Sequence, residues 1–369
     1  MMKPIFLSLF FLSSFAASPA RAALFCGMRR NVACLIEAIN EGRSSRVVKN
    51  LQAGVDPNGE EDGVTPIAAA IKAKNLAIVS ELLKYRINLK KNACASGNAL
   101  FCALDRFPPA VEPLLRAGAN PNATNERGDL LLTVAVMKGT TLNYLSARTL
   151  LKHGADVNRC GENGNTPLAT VLRRGGSADA MRFLLKNGAD PNVLVNKKTP
   201  LFAYALLEAK SAKKALLLKK FRAKVDGRDS NGRTALIREL ENGGRADTVA
   251  FLIKNGADVN ARSADRQTPL IAAVKAKASD SVLNKLIAAG ADVNAADADG
   301  NSAVAYTVKT RETVTRKLNR LDLLRKHGAD MSAVSGKGET IADFLRAENK
   351  NVITDERYWE LLKKVSAGK

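Results

Sequence analysis

Short apolar blocks, spaced for one face of a helix, recur along the chain and are separated by short polar segments. One block, DSVLNKLIAAG, places four apolar residues on a single helical face, namely Val282, Leu283, Leu286 and Ile287. A shorter, alanine-rich block, TPLIAAVKAKA, precedes it, and the polar segment ADVNAADADGN follows it. Asn, Asp and Gly in that polar segment are typical of a turn. The pattern therefore predicts a unit of two short helices and a turn.

The end of this unit returns at a nearly constant distance. The string GADVN, or a near copy, starts at seven glycines: Gly54, Gly118, Gly154, Gly188, Gly256, Gly290 and Gly328. The two widest gaps, after Gly54 and after Gly188, hold the degenerate copies RINLK and AKVDG. The period is therefore about 34 residues, and a string that recurs at a fixed period indicates architecture.

The start of the unit also recurs, as TPL or a related string. Strong copies begin at Thr65, Thr166, Thr199, Thr234 and Thr268, and weaker ones at Leu130, Ser302 and Thr340. Threonine caps the first free amides of a helix, and proline at the first helical position has its φ already set. Glycine ends the second helix in the left-handed conformation. One unit cannot cover its own apolar face, so we expect the units to stack around a continuous core.

Helix pairs that begin with TPL and end with GADVN resemble the ankyrin repeat. The resemblance covers residues 34–369 and implies an all-α ankyrin-repeat solenoid of about ten helix-turn-helix units with short β-hairpin or turn tips. We assign residues 1–22 to a signal peptide, 23–60 to an N-terminal capping unit, 61–335 to the repeat array and 336–369 to a C-terminal capping unit.

The chain departs from the family at one position. The family often has His after TPL, where this chain has Ala169, Phe202, Ile237 and Ile271. We expect apolar packing to replace the hydrogen bonds that His would make between neighbouring turns.

Two units are longer than the others, and the extra residues fall near Lys138–Ala147 and Lys309–Asp322. The resemblance places such insertions between the two helices of a unit. The second insertion carries Arg311, Arg316, Lys317 and Arg320. Either an extended basic helix or a solvated charged face fits this composition, and we favour the solvated face.

The first residues predict export. Lys3 precedes the apolar segment IFLSLFFLSSFAA, and Ala20-Arg21-Ala22 has the small-residue pattern of a cleavage site. A cleaved signal peptide predicts a periplasmic or secreted protein, and an uncut N-terminal anchor is the alternative. The later sequence has no stretch apolar enough to span a bilayer, so we expect no stable membrane insertion after cleavage.

Export places the five cysteines in an oxidising compartment. Cys26 and Cys34 have the same separation as Cys94 and Cys102, so two local disulfides are the preferred pairing, although four cysteines allow three pairings. Buried free thiols in helices are the alternative. Cys160 is left over and is expected to be exposed, as a free thiol or an intermolecular link.

The residue inventory argues against catalysis. His153 and His327 both precede a helix-ending glycine, in a position that other units fill with Lys or Asn. Because the chain has no further histidine, the sequence argues against a Ser/His/Asp or Cys/His centre. The sequence also has no phosphate-binding glycine loop and no metal-ligand spacing of Cys and His. We therefore expect no enzyme, no catalytic residue, no cofactor and no metal site.

The charge favours an acidic partner, because 57 Lys and Arg outnumber 36 Asp and Glu, for a net charge of +21. In the ankyrin family, positions seven and eight residues after the Thr of TPL are exposed, as is the turn residue before that Thr. These positions predict a row of partner-binding cations: Lys72, Lys138, Arg173, Arg174, Lys198, Arg233, Lys275 and Lys309. Glu241 and Asn242 interrupt the row. The alternative is that a chain this basic shows cations on every face.

We therefore expect an exported, non-enzymatic protein-interaction scaffold that binds an acidic protein on a basic concave groove. The resemblance includes exported bacterial proteins that protect envelope enzymes or neutralise toxins, and a secreted effector that binds host proteins is the alternative. An enzyme that uses an unrecognised carboxylate pair ranks last. Nucleic acid is a poor partner, because export separates the chain from it and no aromatics interleave the cations. We expect a monomer.

Overall fold

A computed structural model describes residues 31–90, 92–94 and 97–331 and the single residues 340, 356 and 363. The predicted signal peptide (1–22) and most of the predicted C-terminal capping unit (336–369) lie outside the described residues. The chain divides into two compact units, Met1–Asp156 and Val157–Lys369. Each is described by itself.

The first unit contains four helix pairs. Its elements are α1 (Val32–Asn40), α2 (Ser44–Gln52), α3 (Pro66–Lys72), α4 (Leu76–Leu82), β1 (Asn92–Cys94), β2 (Gly97–Asn98), α5 (Ala99–Arg106), a 3-10 turn (Pro108–Ala110), α6 (Val111–Arg116), α7 (Leu131–Lys138) and α8 (Thr141–Lys152). The antiparallel strands β1 and β2 form a hairpin at the tip of the third pair.

The second unit contains five described pairs. Its elements are α9 (Pro167–Arg173), α10 (Ala178–Lys186), β3 (Leu194–Val195), β4 (Thr199–Pro200), α11 (Leu201–Ala203) with a π turn (Tyr204–Glu208), α12 (Ala212–Lys220), α13 (Ala235–Glu241), α14 (Ala246–Lys254), α15 (Pro269–Lys275), α16 (Asp280–Ala288), α17 (Ala303–Lys309) and α18 (Val314–Lys326). Strands β3 and β4 form a second antiparallel hairpin. The helix–helix–turn prediction is confirmed for the nine described pairs.

Neighbouring pairs pack helix against equivalent helix. In the first unit α3 packs between α1 and α5, and in the second unit α15 packs between α13 and α17. The buried faces carry mainly Ala, Leu, Ile and Val. The positions that replace the family histidine, Ala169, Phe202, Ile237 and Ile271, are all at most 1% exposed, which confirms that apolar packing takes over there.

The predicted helix starts are confirmed in most units. The hydroxyls of Thr65, Thr166, Thr234 and Thr268 accept the N–H three residues later, as a capping threonine does. Thr199 differs, because its backbone pairs with Val195 in the β3–β4 hairpin and α11 begins only after Pro200. The expected glycine conformation is also confirmed, for example at Gly256, where φ is 88°.

The last residue of the GADVN string bonds to the next repeat. Asn260 accepts the N–H of Asp292 at 2.7 Å and donates its amide to the carbonyl of Gly290 at 2.9 Å. Equivalent pairs of bonds are made by Asn58, Asn122, Asn158, Asn192 and Asn294. Because one amide side chain satisfies both a donor and an acceptor of the adjacent turn, it holds neighbouring repeats in register.

The degenerate copy AKVDG places an aspartate at this position. Asp226 accepts the N–H of Asp258 at 3.2 and 3.1 Å from its two oxygens, but a carboxylate has no N–H to donate to the next carbonyl. Burial raises the pKa of Asp226, and the Asp258 carboxylate adds to the rise, whereas the Asp258 N–H and Arg228 oppose it. The link between the sixth and seventh described pairs is therefore weaker than the asparagine links on either side of it.

The predicted Cys94–Cys102 disulfide is present and ties β1 to α5, with 5.9 Å between the Cα atoms. Cys34 is buried and disulfide-bonded, while Cys26 lies outside the described residues, so the Cys26–Cys34 pairing stays a prediction. The expected exposure of Cys160 is confirmed, and Cys160 forms no disulfide with the other described cysteines.

The prediction that the two insertions lie between the helices of a unit is wrong. Helix α8 has 12 residues and α18 has 13, against nine in α10, α14 and α16. The connections that precede α16 and α18 have the same length, residues 276–279 and 310–313. The extra residues therefore lengthen the second helix by about one turn instead of enlarging the loop.

The solvated-face interpretation of the second insertion is also wrong for two of its four cations. Arg320 is fully buried and bonds to Glu312 at 2.6 Å and to the carbonyl of Ala278 at 2.9 Å. Lys317 is 6% exposed and donates to the carbonyl of Val308. Arg311 and Arg316 are exposed, as that interpretation requires. Arg320 binds helix α18 to the loops that hold Ala278 and Glu312, and Lys317 binds it to the last turn of α17.

Replacing Asp226 with Asn should restore the missing amide bond and stabilise the protein by about 1 kcal/mol at neutral pH. The raised pKa means that the folded state holds the Asp226 proton more tightly than the unfolded state does. The carboxyl therefore contributes stability below its unfolded pKa, and this contribution is lost as the pH rises through the folded pKa. The gain from Asp226→Asn should be smaller at acid pH. Urea unfolding followed by circular dichroism at both pH values measures it.

Asp265→Asn is the control, because Asp265 is an exposed turn aspartate for which no side-chain bond is seen in the described part of the chain. It should change the free energy of unfolding by less than about 0.5 kcal/mol. An equal gain from both substitutions would mean that lost negative charge, and not the amide bond, stabilises the protein.

Glu312→Gln should destabilise the protein by about 3 kcal/mol, because it leaves the guanidinium of Arg320 buried without its main counter-charge. Arg316 contacts the same carboxylate at 3.1 Å but its side chain is 45% exposed, so Arg316→Gln should cost less than about 1 kcal/mol. Urea unfolding measures both. Similar losses for the two variants would show that burial of the Glu312–Arg320 pair is unimportant.

Candidate functional site

The predicted cations of the first unit lie at the ends of first helices. Lys72 ends α3 and Lys138 ends α7, and both are exposed. Lys138 forms an ion pair of 2.5 Å with Asp105 at the end of α5, whereas Lys72 forms none with the described residues. The charge of Lys138 is thus partly neutralised within the protein.

A recess of about 400 Å³ lies beside Lys138. Phe101 and Val134 give it an apolar portion, and the charged and polar lining is Asp105, Arg106, Asn125, Glu126, Arg127 and Lys138. Arg106 and Arg127 make no ion pair with the described residues. A partner side chain with both apolar and acidic character fits such a lining.

The extra turn of α8 exposes two leucines that the sequence analysis missed. Leu142 is 54% exposed and Leu145 is 58% exposed, and both line a second recess of about 210 Å³ with Pro108 and Pro109. Their exposure follows from the length of α8, because the extra turn is at its N-terminal end.

The predicted cations of the second unit also lie at first-helix ends and in turns. Arg173 and Arg174 are at the end of α9, Lys198 is in the turn between β3 and β4, and Lys275 and Lys309 end α15 and α17. All are exposed except Arg173, which is half-buried. Arg233 is half-buried in the turn before α13.

In three successive repeats, the residue before the capping Thr or Ser is bonded to the last residue of the first helix. Lys275 donates to the amide oxygen of Gln267 at 3.0 Å. Lys309 donates to the amide oxygen of Asn301 at 2.7 Å. Arg233 donates to the carboxylate of Glu241 at 3.0 Å. The two residues of each pair are eight positions apart in the sequence, but their side chains are in contact in the structure.

The residue that accepts the hydrogen bond within the chain decides whether the charge of each cation is balanced. Arg233 also pairs with Asp229 at 2.9 Å; burial lowers the pKa of Arg233, but the bonds to Asp229 and Glu241 raise it overall. Its charge is therefore balanced locally. The amide group carries no net charge, so these hydrogen bonds leave the positive charges of Lys275 and Lys309 unbalanced.

Tyr306 lies between these two lysines and was not predicted. The Lys275 ammonium is 4.7 Å and the Lys309 ammonium 6.0 Å from the centre of its ring. The phenol donates to Asp297 at 2.7 Å. Burial raises the pKa of Tyr306, and the Asp297 hydrogen bond and charge raise it further, so the phenol stays neutral and remains a donor.

The π turn aligns the sixth pair with this network. Ala212, the first residue of α12, lies 13 positions after Thr199, whereas Ala178, the first residue of α10, lies 12 positions after Thr166. The π turn accommodates the extra residue inside the first helix. Glu208, at its end, pairs with Arg238 of α13 at 2.6 Å. Arg238 in turn approaches Asp229 at 3.9 Å, and Asp229 also pairs with Arg233. Arg238 therefore links Glu208 to the ion pairs of Arg233.

The two histidines lie in equivalent structural positions. His153 and His327 are the C-terminal caps of α8 and α18, and each precedes a glycine with positive φ. In the described part of the chain, no group of three or more His, Cys, Asp or Glu residues could hold a metal ion. None of the helices described combines the length and apolar character needed to cross a membrane.

Comparison with known proteins gives the family of these repeats. A family model described as ankyrin repeats (3 copies) matches residues 35–125, 100–195 and 174–263, and one described as ankyrin repeats (many copies) matches residues 252–306. The chain is similar to Rabankyrin-5 from Homo sapiens, with 29% identity over 178 residues, and to Rabankyrin-5 from Mus musculus, with 29% over 177.

Each match covers 41% of this chain but only 15% of Rabankyrin-5. The family models by contrast span most of the described repeats, from the first helix pair into the first helix of the ninth. With its stacked helix pairs and capped TPL helix starts, the chain belongs to the ankyrin-repeat family.

Proposed function

We propose that the protein is an exported scaffold that binds an acidic protein through the cations at its first-helix ends and turns. The observation that carries this proposal is the pairing of Lys275 with Gln267 and of Lys309 with Asn301. Each bond orients an ammonium without neutralising it, so the charge is available to a partner. Ankyrin repeats are in general protein-interaction modules and not enzymes.

Complementary charge supports binding of this kind in two ways. It speeds the encounter of the partners, and it fixes their register once they meet. With 57 Lys and Arg residues the protein attracts acidic surfaces at long range. Locally balanced cations such as Lys138 and Arg233 contribute less to the contact than Lys72, Lys275 and Lys309.

Export is supported by the signal-peptide pattern of residues 1–22 and by the Cys94–Cys102 disulfide, since disulfides persist in oxidising compartments. We place the protein in the periplasm, as a monomer that protects an envelope enzyme or neutralises a toxin. The second candidate is a secreted effector that binds host proteins. Cell fractionation separates the two, because the effector leaves the cell and the periplasmic scaffold stays in the envelope.

Reversing three cations of the row, Arg173→Glu, Arg174→Glu and Lys275→Glu together, should reduce capture of the acidic partner about tenfold or more. The measurement is an affinity pull-down from the envelope fraction, quantified by mass spectrometry. High salt should release the captured protein from the wild type, because surface charges are screened.

The control reverses three exposed lysines on second helices of the same compact unit, Lys186→Glu, Lys254→Glu and Lys285→Glu. This variant carries the same change in net charge and should keep most of the partner. Equal losses from the two triple variants would overturn the proposal, and so would a captured protein that is basic or that resists high salt.

A further inference from the structure

Two lysines and one tyrosine in the second unit form a cluster with unbalanced positive charge. Lys275 and Lys309 end successive first helices, α15 and α17, and Tyr306 lies one turn before Lys309. Neither ammonium forms an ion pair with a carboxylate among the described residues, and each is exposed. We call Lys275, Tyr306 and Lys309 the lysine–tyrosine cluster.

The cluster is held in place by neutral or buried groups. Gln267 and Asn301 each accept one lysine N–H, which leaves the other two N–H groups of each ammonium available. The Tyr306 hydroxyl is bound to Asp297, which is 6% exposed and also accepts the backbone N–H groups of Asp299 and Asn301. A ring fixed at its hydroxyl and flanked by two oriented ammoniums loses little conformational entropy when it binds a partner.

The surrounding acids limit the charge of a ligand. Asp297 and Asp299 act on the hydroxyl end of Tyr306, where both raise the pKa of the phenol. Glu241 is balanced by Arg233 and by the amide of Gln267. Singly charged carboxylates can approach the ammoniums without coming close to the two aspartates, whereas a phosphate with two charges meets stronger repulsion.

We propose that the lysine–tyrosine cluster binds the carboxylates of an acidic segment of the partner protein, with the Tyr306 ring packed against the methylene groups of the bound side chains. Each free ammonium N–H would donate a charge-assisted hydrogen bond. This inference rests on the proposed function and makes the cluster the main contact of the cation row. The other cations of the row then act mainly through long-range attraction.

The test measures binding of a fluorescein-labelled hexaglutamate peptide to the full chain by fluorescence anisotropy at low salt. The double variant Lys275→Gln/Lys309→Gln should weaken binding about tenfold, because it removes both charged donors. The control, Lys186→Gln/Lys254→Gln, makes the same change in net charge at exposed lysines that end second helices. It should weaken binding less than about twofold.

A third variant, Gln267→Glu, keeps both lysines but gives Lys275 a carboxylate partner in place of a neutral amide. It should weaken peptide binding about threefold, since one of the two ammoniums is then balanced within the protein. Circular dichroism verifies that each variant folds. An unchanged affinity for Gln267→Glu would contradict the role assigned to the neutral amide.

The outcomes separate this inference from the proposed function. Three results would each overturn the binding role of the lysine–tyrosine cluster. The first is that the two double variants weaken binding equally, and the second is that the wild type does not bind hexaglutamate. The third is that a phosphopeptide or a single-stranded oligonucleotide binds more tightly than hexaglutamate. The proposed function fails separately, in the envelope pull-down, if the two triple variants lose the partner equally. Selective loss with Lys275→Gln/Lys309→Gln supports both.

Discussion

The structure depends on one constraint: a single helix pair cannot cover its own apolar face. Each pair must therefore stack on the next, and within each compact unit first helices pack on first helices and second helices on second helices. Stacking places equivalent positions of successive repeats side by side. The asparagine at the end of GADVN uses this register, as when Asn260 bonds to Gly290 and Asp292 of the following repeat. Asp226 shows the converse, because a carboxylate supplies only half of the link.

The same register organises charge. In three successive repeats of the second unit, the residue before the capping Thr or Ser contacts the last residue of the first helix, so the charge of one residue decides whether the charge of the other is balanced. Arg233 and Glu241 balance each other, whereas Gln267 and Asn301 leave Lys275 and Lys309 charged. Some cations of the predicted row are thus balanced by acids within the protein, whereas others remain available to a partner. Two of the available ones, Lys275 and Lys309, lie beside Tyr306, which connects two adjacent repeats.

The two long repeats show where sequence patterns mislead. An insertion rich in Arg and Lys is usually solvated, yet the extra residues lengthened α18 and brought Arg320 beneath Glu312 and the carbonyl of Ala278. The added turn of α8 similarly brought Asn143 to the carbonyl of Leu104 and left Leu142 and Leu145 exposed. Burial of a charge needs a counter-charge from a distant position, and periodicity within one helix carries no information about that position.

The sequence by itself determined the repeat period, the pairing of helices, most of the threonine caps and the exposure of Cys160. These features follow from local rules, because capping, helix periodicity and glycine conformation each depend on residues within a few positions of one another. The sequence favoured the Cys94–Cys102 disulfide, but only the structure decided between this pairing and the alternatives. Only the tertiary structure decided which cations keep their charge, where the insertions lie and which polar groups bridge repeats. Those outcomes depend on side chains that lie eight to about forty residues apart and meet only after the repeats have stacked.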